Sequence, residues 1–550
     1  MKNIPFFSAF RIHFNRVLLG LALIMSTSAC EENILDEVPK AFLNPDVVLV
    51  NKAGFDTYLA SVYAVLRSAY FENDDFGYGS NIWDFQIGTD VGMTGDPGIN
   101  TYVDYRTWVT PTASAVNHHW EWAYLKVIPR ANTVLEYAAN PDAAWKDEAE
   151  KNAIIAEARF LRAYAYNILA HLYGAVPIVN QVAQGPILDF KRNTRAEVLA
   201  FVAEDLNFAS QWLPKSTTQD GRAVKAAADH LLAQVYLSLG QNDKALASAS
   251  AVINDNQYQL MTNRFGKYLN QPGDVFSDLF KDNNQNRSTS GNKETIWTLQ
   301  FEFQTPGGIP KGGGGNGSLR AWGPRYFAIK DPDGKTAMRV VDSLGRPVGW
   351  YRGTSYFNHE IWKDAQGDIR NSRHNIRRDF YYNEPSSKFF GQKVNPKTAK
   401  DLDTMYWYYP FVRKIEGEAL AGATYGRTFK EFYLMRLAET YLLRAEAYLA
   451  LGDKQKAADD INTVRNRAKA TPITANDVSI DFILDERARE LMTEELRRLT
   501  LNRLGKLVER VRKYNQRSSA SIQDYHALFP IPQKFIDANI ALKVDQNPGY

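Results

Sequence analysis

Two stretches of the chain share one residue pattern: "AQVYLSLGQNDKALASASAVI", Ala233–Ile253, and "AEAYLALGDKQKAADDINTVR", Ala445–Arg465. In both, an Ala is followed by Tyr at +3, Gly at +7, Lys at +11 and Ala at +12. Apolar residues at helical spacing, interrupted by a glycine, are typical of two helices joined by a short turn. Small Ala residues let the two helices approach closely, and the Tyr ring fills the space beside them. We therefore predict a helical hairpin at each stretch.

The spacing of these hairpins resembles the tetratricopeptide repeat. Other segments are also predicted to be helical. Apolar residues form one stripe along Glu150–Tyr173, and Thr194–Leu213 begins on a Thr with Glu197 three residues later, the pattern of a capping box. The prediction is a mainly α fold.

The two repeats lie more than 200 residues apart, and the region between them, residues 256–428, differs in character. It is rich in Gly, Pro, Asn, Asp and aromatic residues and has little helical periodicity. Glu294–Phe303 alternates like a strand with one buried face, which carries Trp297. We predict a large irregular insertion with short strands inside a helical core.

The N-terminal residues 1–29 have the features of a secretion signal. The apolar stretch Val17–Met25 follows basic residues, and small residues then lead to Cys30, the only cysteine of the 550-residue chain. Nine apolar residues are far fewer than the ~20 of a transmembrane helix. The pattern resembles a bacterial lipoprotein signal that makes Cys30 the lipid-modified N-terminus, although Thr27 stands where Leu is usual. An ordinary signal peptide with a stray cysteine is the alternative.

Removal of residues 1–29 also changes the charge balance. It removes three of the 65 Lys and Arg residues and none of the 62 Asp and Glu residues, so the remaining chain is formally neutral. A neutral chain has no net field to attract nucleic acid, and nucleic acid is not an expected partner.

Motifs for catalysis or metal binding fail on their spacing. "HEIWK" has Lys363 where a zinc protease needs its second His. His118 and His119 are adjacent, so on a helix they would point about 100° apart. We predict no enzyme activity, no cofactor and no metal. Pairing of two acids in space, as in a glycosidase, is not visible from sequence spacing.

Aromatic residues in loop-like stretches are candidates for ligand binding, because a ring can cover the apolar face of a sugar while Asn, Asp or Arg bond its hydroxyls. Such rings occur in residues 76–108 and in the insertion, with Arg320 and Asp96 as weaker polar candidates. For each ring, packing in the core is the alternative. The predicted ligand-binding residues are Trp83, Tyr102, Tyr105, Trp108, Trp322, Tyr326 and Trp350.

Four segments carry a family resemblance: Ala156–Val179, Tyr433–Asp453, Asp485–Leu507, and "LFPIP" at Leu528–Pro532 with "QNPGY" at Gln546–Tyr550. Further matching residues are Thr89–Asp90, Trp120 with Tyr124, and "RAN" at Arg130–Asn132. In this order they resemble the SusD/RagB family of nutrient-binding outer-membrane lipoproteins of Bacteroidetes. One departure follows "EELRR", where Leu499 and Thr500 replace the usual aromatic and acid.

The resemblance implies a SusD-like fold: a signal peptide over 1–29, a tether over 30–50, and a single domain over 51–550. Its helical core would span about 51–255 and 429–550, with the ligand-binding insertion at about 256–428. It also implies a surface lipoprotein, anchored in the outer membrane through Cys30, that binds oligosaccharides without catalysis for nutrient uptake and polysaccharide utilization. Its partner would be a SusC-like TonB-dependent transporter. The alternatives are a peptide or another nutrient as ligand, or a purely structural lid of the transporter.

Overall fold

The computed structural model describes residues 44–67, 70, 85–305 and 314–550. The predicted signal peptide, Cys30 and most of the predicted tether lie outside these residues. The helices are α1 (Pro45–Val48), α2 (Lys52–Arg67), α3 (Tyr105–Trp108), α4 (Ser114–Glu121), α5 (Ile128–Ala138), α6 (Glu148–Tyr173), α7 (Arg195–Trp212), α8 (Lys225–Ser238), α9 (Asn242–Ile253), α10 (Val275–Asp278), α11 (Arg287–Ser290), α12 (Ser318–Trp322), α13 (Ser355–Asn358), α14 (Leu437–Ala450), α15 (Lys454–Arg467), α16 (Ile480–Leu491), α17 (Arg497–Arg503), α18 (Leu507–Tyr514) and α19 (Gln533–Ala538). A π-helix, Trp122–Val127, joins α4 to α5.

Short strands pair antiparallel. They are β1 (Gly92–Thr94) with β3 (Tyr351–Gly353), β2 (Thr295–Leu299) with β6 (Phe432–Arg436), and β4 (Ile376–Arg377) with β5 (Phe411–Val412). Single 3-10 turns are Tyr326–Ala328, Glu360–Trp362, Ile369–Asn371, Arg413–Ile415, Ala423–Tyr425, Ala475–Asp477 and Asp524–Ala527.

Both predicted hairpins are present, as α8 with α9 and α14 with α15. Gly240 and Gly452 lie in the turns with φ of +70° and +86°, a conformation that L side chains rarely adopt. The glycine of the repeat is therefore required by the turn between the helices.

The two hairpins pack against each other although the insertion separates them in sequence. Ala233, Ala249 and Leu443 form one buried cluster, and Arg444 Nη1 donates to Ser250 Oγ at 3.4 Å. The small side chains of this cluster allow one hairpin to approach the other closely, a contact that the repeat pattern did not predict. The helix stack therefore runs from α6 through α9 and continues directly into α14 and α15.

The other helix predictions are confirmed, and the strand prediction needs a correction. Helix α6 covers the predicted Glu150–Tyr173, and α7 begins with the complete Thr194–Glu197 capping box. The strand is only Thr295–Leu299, and all five of its residues are buried. The alternating pattern did not show this, because burial of the second face comes from distant parts of the chain.

The insertion is attached to the helical core by a buried cluster of charged side chains. Arg370 of the insertion lies 2.8 Å from Glu486 and 3.1 Å from Glu490, both in α16. Arg436, at the end of β6, bonds Glu490 at 2.8 Å and also pairs with Glu294 beside β2. Each of these side chains is at most 1% exposed, so each charge depends on its partners rather than on water.

Among the described residues, we find no helix that is long and apolar enough to cross a membrane. The same residues contain no group of three or more His, Cys, Asp or Glu side chains placed to hold a metal ion.

We expect the buried cluster to make stability depend on pH. Burial alone would raise the pKa of Glu486, but the charges of Arg370, Arg489 and Arg465 lower it to about 2. A carboxylate with a lowered folded pKa stabilises the fold above its unfolded pKa of about 4.3, and this contribution is lost as the pH falls toward the folded value. At pH 7, Glu486→Gln should lower the free energy of unfolding by ~3–5 kcal/mol, because Arg465 and Arg489 lose their carboxylate partner and Arg370 loses one of its buried partners.

Urea unfolding at several pH values measures this effect. The difference in free energy of unfolding between wild type and Glu486→Gln should become smaller as the pH falls below about 4.3. Glu509→Gln is the matched control, because the Glu509 side chain is 58% exposed. A difference that stays constant down to pH 3 would contradict the assignment.

Candidate functional site

The two aromatic loop regions named from the sequence meet at the β1–β3 pair. Gly92 lies opposite Gly353 and Thr94 opposite Tyr351, across more than 250 residues of sequence. The pairing continues past the strands, where Gly95 N donates to Trp350 O at 2.8 Å. This contact places the start of the 95–108 loop beside the segment that carries Trp350.

Beneath this pair, predicted rings from both regions form one connected layer. The Trp322 and Tyr351 ring centroids are 6.1 Å apart, and Tyr351 meets Tyr102 edge-on at 6.0 Å. Tyr102 lies 4.8 Å from Trp108, which lies 5.2 Å from Tyr105. The layer fixes the positions of the two loop regions relative to each other.

The five predicted rings Tyr102, Tyr105, Trp108, Trp322 and Tyr326 are at most 3% exposed. These five rings are packed in the protein interior, which is the alternative that the sequence analysis gave to ligand binding. Contact between these rings and a ligand stays a prediction, and it would require the rings to become exposed. Trp83 lies outside the described residues.

Trp350 differs from these rings because it is only partly buried, and polar groups surround it. The Arg320 guanidinium lies 5.6 Å from the Trp350 ring centroid. The Asp96 amide points toward Trp350 O at 3.4 Å, and the Asp96 carboxylate accepts from Gly98 N at 2.8 Å. Trp350 and Asp96 are therefore partly exposed side by side, and the buried Arg320 lies against the Trp350 ring from within.

Tyr406 completes this surface. The hydroxyl accepts from Arg325 Nη1 at 3.3 Å, and the guanidinium lies 5.7 Å from the ring centroid. Burial raises the pKa of Tyr406, and the adjacent Asp96 carboxylate adds to the effect, so the phenol stays protonated. The half-buried Trp350 and Tyr406, with Asp96, Arg320 and Arg325, are called the ring–arginine site below.

Gly349 allows Tyr406 to pack this closely. Its φ is +72°, and a Cβ there would lie 2.8 Å from both Tyr406 Cδ2 and Tyr406 O. Any other residue would be strained and would displace the Tyr406 ring. The glycine before Trp350 therefore positions both rings of the site.

The site carries an excess of positive charge. Burial, with the nearby charges of Arg346 and Arg427, lowers the pKa of Arg320 to about 10. Arg320 still carries its charge at pH 7. Arg325 and Arg346 both lie 5.6 Å from the Phe327 ring centroid. The exposed Arg325 and the partly exposed Arg346 therefore lie beside partly exposed aromatic rings, and Arg320 lies buried beneath them.

The motifs of the family resemblance hold the site from below. Asp90, of the "TD" pair, receives hydrogen bonds from Arg497 at 2.9 Å and from Arg510 at 2.6 Å. Arg498 donates to Tyr105 OH at 2.7 Å and lies 5.0 Å from the Trp108 ring centroid. These motif residues support the loop regions rather than contact the exposed surface.

Sequence reasoning missed Tyr406, Arg325 and Phe327. Tyr406 belongs to "YWYY", Tyr406–Tyr409, where core and surface positions could not be told apart. In the structure Tyr409 is 1% exposed, whereas Tyr406 is only partly buried. The available signal was the aromatic run itself, and only its tertiary neighbours sort its members.

Comparison with known families agrees with this architecture. The model described as "SusD family" matches residues 279–550, and the model described as "Starch-binding associating with outer membrane" matches residues 43–237. These two matches cover most of the chain. The chain belongs to the SusD family, as its motifs predicted.

Individual relatives are distant but span most of their length. SusD-like protein P25 of Formosa agariphila is 26% identical over 565 residues, which cover 97% of this chain and 99% of that protein. The starch-binding protein SusD of Bacteroides thetaiotaomicron is 26% identical over 471 residues, 78% of each chain. A solved laminarin-binding SusD-like protein matches with a TM-score of 0.68 at 22% identity, over 91% of this chain and 100% of that chain. This likeness confirms the predicted mainly α SusD-like fold.

The burial of the rings predicts how truncation affects stability. Trp108→Ala should lower the free energy of unfolding by ~3–5 kcal/mol, because it leaves a cavity in the layer that joins the two loop regions. Trp350→Ala should lower it by at most ~1 kcal/mol, because the ring is only partly buried. Urea unfolding followed by circular dichroism measures both. Equal decreases in the free energy of unfolding would contradict the assignment of Trp108 to the buried layer and of Trp350 to the surface.

Proposed function

We propose that the chain is a glycan-binding protein whose ligand contacts the ring–arginine site, and that it binds without catalysis. The observation that carries the proposal is the exposed surface of Trp350 and Tyr406 beside the charged ends of Asp96 and Arg325. A sugar ring has apolar C–H faces and polar edges. This surface offers rings for the faces and both donors and acceptors for the edges.

The rigidity of the site supports the same function. The β1–β3 pair, Gly349 and the buried ring layer hold the exposed groups, so little side-chain freedom is lost when a ligand binds. The excess of guanidinium donors suits a ligand with many hydroxyl oxygens. Two relatives carry names of glycan binders, one for starch and one for laminarin, and both support a glycan over a peptide as ligand.

Calorimetry of residues 31–550 against starch- and laminarin-derived oligosaccharides tests the proposal. Trp350→Ala and Tyr406→Ala should each weaken binding about tenfold, the loss of roughly 1.4 kcal/mol expected for one aromatic contact. Tyr381→Ala is the control, because this tyrosine is 52% exposed and lies outside the site. The proposal fails if both site variants bind as wild type does, or if neither oligosaccharide class binds.

We also propose that Cys30 is lipid-modified and anchors the chain to the outer membrane at the cell surface, where it delivers its ligand to a TonB-dependent transporter. The lipoprotein-like signal before Cys30 supports the anchor, as does the family description of association with the outer membrane. Several acyl chains on one residue would hold the protein firmly, whereas one chain alone binds reversibly.

Cys30→Ser should abolish incorporation of an alkyne-labelled fatty acid and release the protein from the membrane fraction. Ser26→Ala, also within the signal region, should retain both properties. Protease treatment of intact cells reports surface exposure, and co-purification with the transporter reports the partner. Membrane retention of Cys30→Ser at the wild-type level would contradict the anchor.

A further inference from the structure

A second pocket lies in the insertion, apart from the ring–arginine site. It encloses about 410 Å³ between the 268–282 segment, the 341–345 turn and the 413–419 segment. Its lining differs from that of a core cavity, because most of the side chains that reach it are polar or charged. A pocket of this kind recognises ligands through hydrogen bonds rather than through apolar contact.

Several polar side chains of this pocket are not engaged in hydrogen bonds or ion pairs with other described residues. Across the described segments, the Lys281 ammonium, Asp342 carboxylate, Ser343 hydroxyl and His374 ring make no side-chain hydrogen bond or ion pair. Burial lowers the pKa of His374, so the ring is neutral at pH 7 and offers one donor and one acceptor. The pocket thus presents donors and acceptors together.

The charges of the pocket disfavour an anionic ligand, which leaves a neutral glycan compatible with it. Arg413 is paired with Glu416 at 2.8 Å, and Lys414 is buried against Glu494. The remaining Lys281 lies in the same lining as two carboxylates, Asp342 and Asp282, and among the described residues the latter accepts only from the Glu418 backbone at 3.1 Å. The half-buried Tyr268 supplies a ring, and its hydroxyl bonds Glu418. A ring with both donors and acceptors suits sugar hydroxyls, and the excess of carboxylates disfavours an anion.

Two segments connect this pocket to the ring–arginine site. Ser343 lines the pocket, and three residues later the Arg346 guanidinium lies over Phe327. Three residues span at most about 10 Å, so the Arg346 backbone lies within about 10 Å of Ser343, and its guanidinium shares the Phe327 ring with Arg325 of the ring–arginine site. The second segment runs from Ala419 in the pocket to Gly426, where a Cβ would lie 2.6 Å from Arg346 O.

We propose that this pocket is a second sugar subsite, which binds another part of the same neutral glycan and makes the protein prefer long chains over short ones. The inference rests on the proposed glycan-binding function. A glycan long enough to reach both places gains the second contact without another loss of translational freedom, so its affinity exceeds that of a short glycan. A short glycan occupies only the ring–arginine site.

Calorimetry with laminari- and malto-oligosaccharides, each as a disaccharide and an octasaccharide, tests the subsite. Wild type should bind the octasaccharide of one series at least about tenfold more tightly than its disaccharide. The double variant Lys281→Ala, Asp342→Ala should bind the octasaccharide no more tightly than the disaccharide, and its affinity for the disaccharide should equal that of wild type. Ser343→Trp, which fills the pocket without removing its charges, should do the same. Lys335→Ala, an exposed lysine outside the pocket, should behave as wild type.

The outcomes separate the two proposals. If wild type binds both lengths equally, or if the pocket variants keep the full advantage of the octasaccharide, the subsite is wrong while glycan binding stands. If wild type binds neither series at either length, the proposed function fails and the subsite with it. Variants that lose binding of both lengths equally would show that the pocket is part of the first site, which also overturns a separate subsite.

Discussion

The ion cluster around Arg370 is the constraint on which the arrangement of this protein depends. Arg370 comes from the insertion and is fully buried between Glu486 and Glu490 of α16, which also bond arginines of the helical core. Two buried charges gain little net stability over apolar packing, but a buried charge without its partner is costly. The cluster therefore selects one position of the insertion on the helix stack more than it adds to overall stability.

The same principle operates beneath the ring–arginine site. Asp90 is 0% exposed, and its carboxylate bonds Arg497 and Arg510 from two C-terminal helices. This pair holds the turn before β1, and β1 in turn positions Trp350 through its pairing with β3. The site thus consists of buried ion pairs at its base, a layer of buried rings above them and partly exposed rings at the surface. Each layer is built from residues far apart in sequence.

Much of the helical framework could be predicted from local sequence. The Ala, Tyr and Gly spacing of the repeats and the Thr194–Glu197 capping box each depend on only a few neighbouring residues. The structure contains both the predicted hairpin turns and the capping box. The candidate site was predicted less well. Rings such as Trp108 and Trp350 look alike in a glycine-rich loop, yet one is buried against Tyr102 and Arg498 and the other is not. Burial of a loop ring depends on partners that local pattern does not specify.

The sequence by itself determined the helical hairpins and the family, and it indicated the two regions whose residues meet at the candidate site, because periodicity, turn glycines and motifs are local properties of the chain. The tertiary structure decided which rings reach the surface, and it joined Tyr406 and Arg325 to Trp350. It also brought Lys281 and Asp342 to one pocket. These outcomes depend on strand pairing and ion pairs between segments hundreds of residues apart, and such contacts form only when the whole chain is folded.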